Sequence, residues 1–149
     1  MAYISYLMMK KTRKNWDQYA LGLATEAASR SEDPYRQVGA CVLREDHSVA
    51  ACGYNGVPAG IEIDYSDRDK RRKFMVHAET NALRYCRPDE KFSVLACNFL
   101  PCADCMKQIG AYGIKKVVFK EVFQEAHTVG EPAALEVAQA FKITLVQIS

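Results

Sequence analysis

The stretch "HAETNALRYCRPDEKFSVLACNFLPCADCMKQIGAYGIKKVVF", residues 77–119, decides the fold. Its apolar residues change period three times. Helical spacing over about Val76–Tyr85 gives way to a short β-prone run at Ser93–Cys97. Helical spacing then returns over Ala103–Tyr112, and a second run follows at Lys116–Phe119. Arg87-Pro88 and Gly113 stand where those helices must stop. Strands separated by a helix favour a right-handed crossover and parallel pairing.

Working outward, Trp16, Tyr19, Ala20, Leu23, Ala24 and Ala27 recur at intervals of three and four, which predicts an amphipathic helix over Trp16–Arg30, ended by Pro34. Val38–Leu43 and Ser48–Gly53 read as strands of an antiparallel hairpin turned at Glu45, Asp46 and His47. Gly60–Lys73 is crowded with charges and reads as an exposed loop, or a loop with a helical turn. At the other end Pro132 opens a helix to about Phe141, and Ile143–Ile148 alternates as a strand. The sum is a three-layer α/β/α sandwich around a five-stranded mixed sheet. It forms one domain over residues 1–149, with residues 1–14 a peripheral extension.

Composition narrows the class. A chain of 149 residues, 49% hydrophobic and 26% charged, can bury a core without disulfide staples. A net charge of +2 names no nucleic-acid partner, and the apolar run Met1–Met9 is too short to span a bilayer. Nothing resembles an export signal, so the six cysteines are expected as thiols in the cytoplasm. Cys41, Cys52, Cys86 and Cys97 read as small buried hydrophobes. His47 and His127 read as surface histidines.

The remaining cysteines belong to a pattern that carries chemistry. His77 opens one predicted helix, and Cys102 and Cys105, at i and i+3, open the next. One imidazole and two thiolates suit Zn²⁺ but fall one short of the four protein ligands of a structural site, so the fourth position is expected to hold water. Zinc lowers the pKa of such a water from about 15.7 towards about 7. Glu79, two residues after His77, can reach that water as a general acid/base without ligating the metal. His-x-Glu followed by Pro-Cys-x-x-Cys is the signature of zinc nucleobase deaminases, and it stands here as His77-Ala78-Glu79 and Pro101-Cys102-Ala103-Asp104-Cys105.

With those residues in view, the chain resembles the cytidine deaminase superfamily, and within it the deoxycytidylate deaminases. The likeness runs from Trp16 to about Phe119 and includes "RQVGACVL" and "GYNGVPAG". It implies hydrolysis of dCMP to dUMP, which feeds thymidylate synthesis. It further implies a homo-oligomer, by likeness a hexamer, activated by dCTP and inhibited by dTTP with Mg²⁺ accompanying the triphosphates. Asn55 and Ala78 would meet the nucleotide, and Gly53, Tyr54, Asn55 and Gly56 would meet effector at a subunit boundary. Two departures stand out. Ala59 replaces an arginine frequent in "GYNGPRG", and Ile61–Val76 carries no cysteine or histidine for a second zinc.

Phosphate candidates are Ser31 and Arg36 before the first strand, and the run Arg68, Lys70, Arg71, Arg72, Lys73, whose interleaved Asp67 and Asp69 read equally as a solvated loop. Other targets stay open: dCTP, cytidine, a nucleoside antibiotic or a tRNA base. A catalytically silent zinc-binding regulatory module is the non-enzymatic alternative.

Overall fold

The computed structural model describes residues 11–123 and 130–149. They form five helices and five strands, in chain order α1 Trp16–Ala28, β1 Gly39–Arg44, β2 Val49–Tyr54, α2 Arg68–Phe74, α3 Ala78–Leu83, β3 Phe92–Phe99, α4 Ala103–Ala111, β4 Lys116–Glu121, α5 Gly130–Ala140 and β5 Thr144–Gln147. The sheet order is β2-β1-β3-β4-β5. β1 pairs antiparallel with both β2 and β3, while β3–β4 and β4–β5 are parallel. The expected mixed α/β sandwich is thus present, and β2 and β3 run the same way with β1 between them. His127 lies outside the described residues.

Strand alternation sorts the core into two layers. Cys41, Leu43, Val94, Ala96 and Val118 face Ala20, Leu21 and Ala24 of α1. Ala40, Val42, Leu95, Cys97 and Val117 face the opposite way, onto Ala82 and Leu83 of α3, Met106 and Ile109 of α4, and Ala134 and Ala138 of α5. Successive residues of a strand point to opposite faces, so one strand serves both layers. α1 starts at a reciprocal cap: the Asn15 side-chain Oδ1 accepts from the Gln18 backbone amide at 2.8 Å, and the Gln18 side-chain Oε1 accepts from the Asn15 backbone amide at 3.0 Å.

Two glycines let helices sit against the sheet. A Cβ on Gly39 would fall 1.8 Å from the Ala24 carbonyl oxygen, and one on Gly53 would fall 2.5 Å from the Ala82 nitrogen and 2.6 Å from the Ala78 oxygen. Gly53 therefore serves the approach of α3.

Some expectations shift. Arg68–Phe74 forms two helical turns, capped by the Asp67 side chain accepting from the Lys70 amide at 3.1 Å. Cys52 is exposed, because its side of the edge strand β2 is incompletely covered; Cys41, Cys86 and Cys97 are buried as expected. His47 adopts φ 71° in the hairpin turn and stacks on Trp16 with ring centroids 4.5 Å apart.

Candidate active site

One edge of the sheet collects the chemistry. β2 and β3 end there and β1 begins there, so Asn55, the Leu100–Cys102 segment and the Arg36–Val38 segment meet, and the start of α3 brings His77 alongside. His77 and Cys102 occupy the N-cap positions of α3 and α4. The His77 Nδ1 lies 3.3 Å from the Cys105 Sγ and 3.5 Å from the Cys102 Sγ. All three candidate ligand atoms fall within 4.8 Å of one another. A tetrahedral zinc with bonds of about 2.0 Å to nitrogen and about 2.3 Å to sulfur requires an N···S separation of roughly 3.5 Å. The donor set and its spacing fit Zn²⁺.

The electrostatics favour a cation. The Cys102 thiol, hydrogen-bonded to Cys105 and to His77, is lowered to about 4, while the same hydrogen bond and burial push the Cys105 thiol up. The bond to Cys102 raises His77, against its desolvation. Glu79 is 4% exposed, and burial raises its carboxyl above the ordinary value of 4.5, partly opposed by the charge of His77. A carboxyl so displaced is suited to exchanging protons near neutral pH. Thr80 Oγ1 donates to Gln108 Oε1 at 3.0 Å and ties α3 to α4, which holds the two N-termini together.

The triad opens into a cleft of about 820 Å³. Of the nucleotide-contacting candidates, Asn55, Ala78 and Arg36 line it; Ser31, Gly53, Tyr54 and Gly56 do not. Asn55 is buried, and its amide has two backbone partners: Oδ1 accepts from the Val38 amide at 2.8 Å and Nδ2 donates to the Arg36 carbonyl at 3.0 Å. One Nδ2 proton is left over for a ligand. Ser31 Oγ donates to the Asn55 carbonyl at 2.9 Å, so it braces the loop from behind. Arg36 spreads over Phe123 at 3.8 Å, and Phe123 stacks on Phe99 at 4.2 Å. Gly56 exchanges two backbone bonds with Val76, at 3.1 and 2.8 Å.

Sequence reasoning missed Asn98. Its Oδ1 accepts from the Gly39 amide at 2.9 Å and its Nδ2 donates to the Gln37 carbonyl at 3.0 Å, which fixes the start of β1 beside the cleft. An asparagine inside a strand, where that residue is depleted, was the available signal.

The family profile described as "Cytidine and deoxycytidylate deaminase zinc-binding region" matches residues 14–121. This chain belongs to that family. It is 40% identical to a deoxycytidylate deaminase of Mycobacterium phage D29, over 72% of this chain and 96% of the phage protein. It is 34% identical to the human deoxycytidylate deaminase, over 70% of this chain and 64% of the human one, so it spans somewhat less than two thirds of that relative. Its fold is similar to that of the dCMP deaminase of cyanophage S-TIM5 in apo form, with a TM-score of 0.70 and 25% identity over 92% of this chain and all of the other. The same cyanophage enzyme in complex with dCMP and dUMP gives a TM-score of 0.73 at 24% identity, over 93% and 100% of the two chains. The cytidine deaminase-like fold expected from the sequence is thereby established.

Proposed function

We propose that this chain is a zinc-dependent hydrolase that converts dCMP to dUMP with release of ammonia. The observation that carries the reading is a buried carboxyl, Glu79, held beside a His/Cys/Cys set whose spacing suits zinc, in a chain 40% identical to a deoxycytidylate deaminase. His77, Cys102 and Cys105 would hold the metal. Bound there, it supplies a Lewis acid that makes water acidic enough to react near neutral pH.

The protein's own part is proton transfer and positioning. Glu79 takes the proton of the attacking water and gives it to N3 of the cytosine as the new C4–O bond forms. It then carries the second water proton to the C4 amino group, whose bond to carbon breaks to leave ammonia and a C4 carbonyl. The second Nδ2 proton of Asn55 would bond a sugar hydroxyl, and Ala78, which lines the same cleft, would meet the base. Purified protein loaded with zinc should release ammonia from dCMP, and Glu79→Ala should stop turnover while zinc stays bound. Wild-type rates in that variant would refute the proton role.

By family likeness the proposal extends to a homo-oligomer, a hexamer, activated by dCTP and inhibited by dTTP with Mg²⁺, with Gly53–Gly56 near the effector. The product would feed thymidylate synthesis in the cytoplasm, a location in keeping with six unbridged cysteines and with the phage relative. Gel filtration and initial rates with and without each triphosphate test these extensions. No described helix is long and apolar enough to cross a membrane.

A further inference from the structure

The charged segment before the zinc histidine forms a helix whose two faces differ. Arg68, Arg71, Arg72 and Met75, spaced i, i+3, i+4 and i+7, line the same cleft as His77 and Glu79, whereas Asp69, Lys70 and Lys73 do not line it. Residues at that spacing share one helical face. Neither acidic residue that made the run read as a solvated loop lines the cleft: Asp69 is absent from its wall, and Asp67 caps the helix. The charged residues on the face that lines the cleft are all arginines.

This helix is held in place. The Gly56–Val76 backbone pair fixes its exit, and Arg71 donates through Nη1 to the Tyr65 carbonyl while its guanidinium lies 4.2 Å from the Tyr35 ring centroid. Arg68 and Arg72 are exposed, and among the described residues neither has a carboxylate within ion-pair distance. Of the two carboxylates lining the cleft, Glu79 sits beside the triad, and Asp33 Oδ1 accepts from the Tyr35 and Arg36 amides at 2.8 and 3.3 Å. The cleft thus carries a carboxyl and a cation site at one place and guanidinium groups along its wall.

We infer that Arg68 and Arg72, on a helix braced by Arg71, form the clamp that reads the 5′-phosphate of the substrate and sets the preference for a nucleoside monophosphate over the nucleoside. The inference rests on the deaminase reading of the same cleft. Guanidinium groups grip phosphate through paired, charge-assisted hydrogen bonds, and a dianion gains from two of them at once. Arg36, flattened on Phe123, closes the wall between the clamp and the neighbouring surface.

The test compares zinc-loaded wild type with Arg68→Ala, Arg72→Ala and the double variant, with zinc content and thermal melts confirming intact fold. Initial rates on dCMP and deoxycytidine give the ratio of their kcat/KM values. That ratio should fall about tenfold or more for each arginine removed. An unchanged ratio, or equal losses on both substrates, would overturn the clamp. Calorimetric titration with dUMP and with deoxyuridine reads it without turnover: wild type should prefer dUMP, and the double variant should lose the preference. Absence of that preference in wild type also overturns the clamp. Preference for dUMP with no turnover of any cytosine substrate would instead uphold the clamp and reject the deaminase.

Discussion

Gly53→Ala should damage the metal site from the far side of a helix. The new Cβ would stand 2.5 Å from the Ala82 nitrogen and 2.6 Å from the Ala78 oxygen, both backbone atoms that cannot swing aside. Real Cβ contacts almost never fall below 3.0 Å, so α3 must withdraw from β2 by at least about 0.5 Å. Ala78 adjoins His77, which is carried along, whereas Cys102 and Cys105 stay with α4. Zinc sites tolerate about 0.2 Å in ligand position, so the displacement exceeds what the site can absorb. Overpacking should cost about 2–3 kcal/mol, or roughly 5–10 °C in melting temperature for a chain of this size. Zinc affinity, measured by chelator competition well below the melt, should drop about tenfold to a hundredfold. Gly22→Ala, where a Cβ meets nothing within 4 Å, is the matched control and should leave both quantities intact or slightly improved. Zinc affinity within twofold of wild type in Gly53→Ala would refute the coupling between the β2–α3 contact and the site.

Two further outcomes follow from charge and exposure. Glu79→Gln should keep zinc and lose about 10²–10⁴-fold in kcat. It should also stabilise the metal-free protein in a pH-dependent way: because burial raises the folded carboxyl above 4.5, the wild type loses stability as pH rises from 4.5 towards the folded value, and the glutamine does not. Melts of the two metal-free proteins should therefore converge at pH 4 and separate at pH 8; a constant gap would contradict the assignment of burial as the cause. Cys52, exposed and lowered to about 7 by a hydrogen bond with the buried Cys41 thiol, should react with iodoacetamide before Cys41, Cys86 or Cys97, at a rate climbing through pH 7. Mass spectrometry locates the adduct, and first modification at Cys41 would show that the two side chains are exchanged.

Much of the architecture is local in origin. The alternation of helical and strand periods over residues 77–119 was enough for the parallel β3–β4 pair, since a short helix between strands leaves few ways to pack. The polar turn at Glu45–His47 was enough for the hairpin. The metal candidates were readable because their types and spacing are chemically restrictive: few other uses require His77 and Glu79 in register with a Pro-Cys-x-x-Cys. Asn55 was legible as a short amide after a strand end, but its place on the cleft wall was not, because the two backbone groups it holds, at Arg36 and Val38, lie many residues away.

By itself, then, the chain's order of residues determined the sandwich, the four chemically marked side chains and the presence of a basic run before the first of them. Tertiary structure alone decided that His77 and Cys105, 28 residues apart, stand 3.3 Å from each other, and that Gly53 makes room for α3. It also decided that α2 turns three arginines into the cleft and leaves Asp69 and the two lysines out of it. The reason is physical: period and propensity act over a few residues, whereas the facing of a charged helix is fixed by which neighbours it packs against, and those neighbours come from distant parts of the chain.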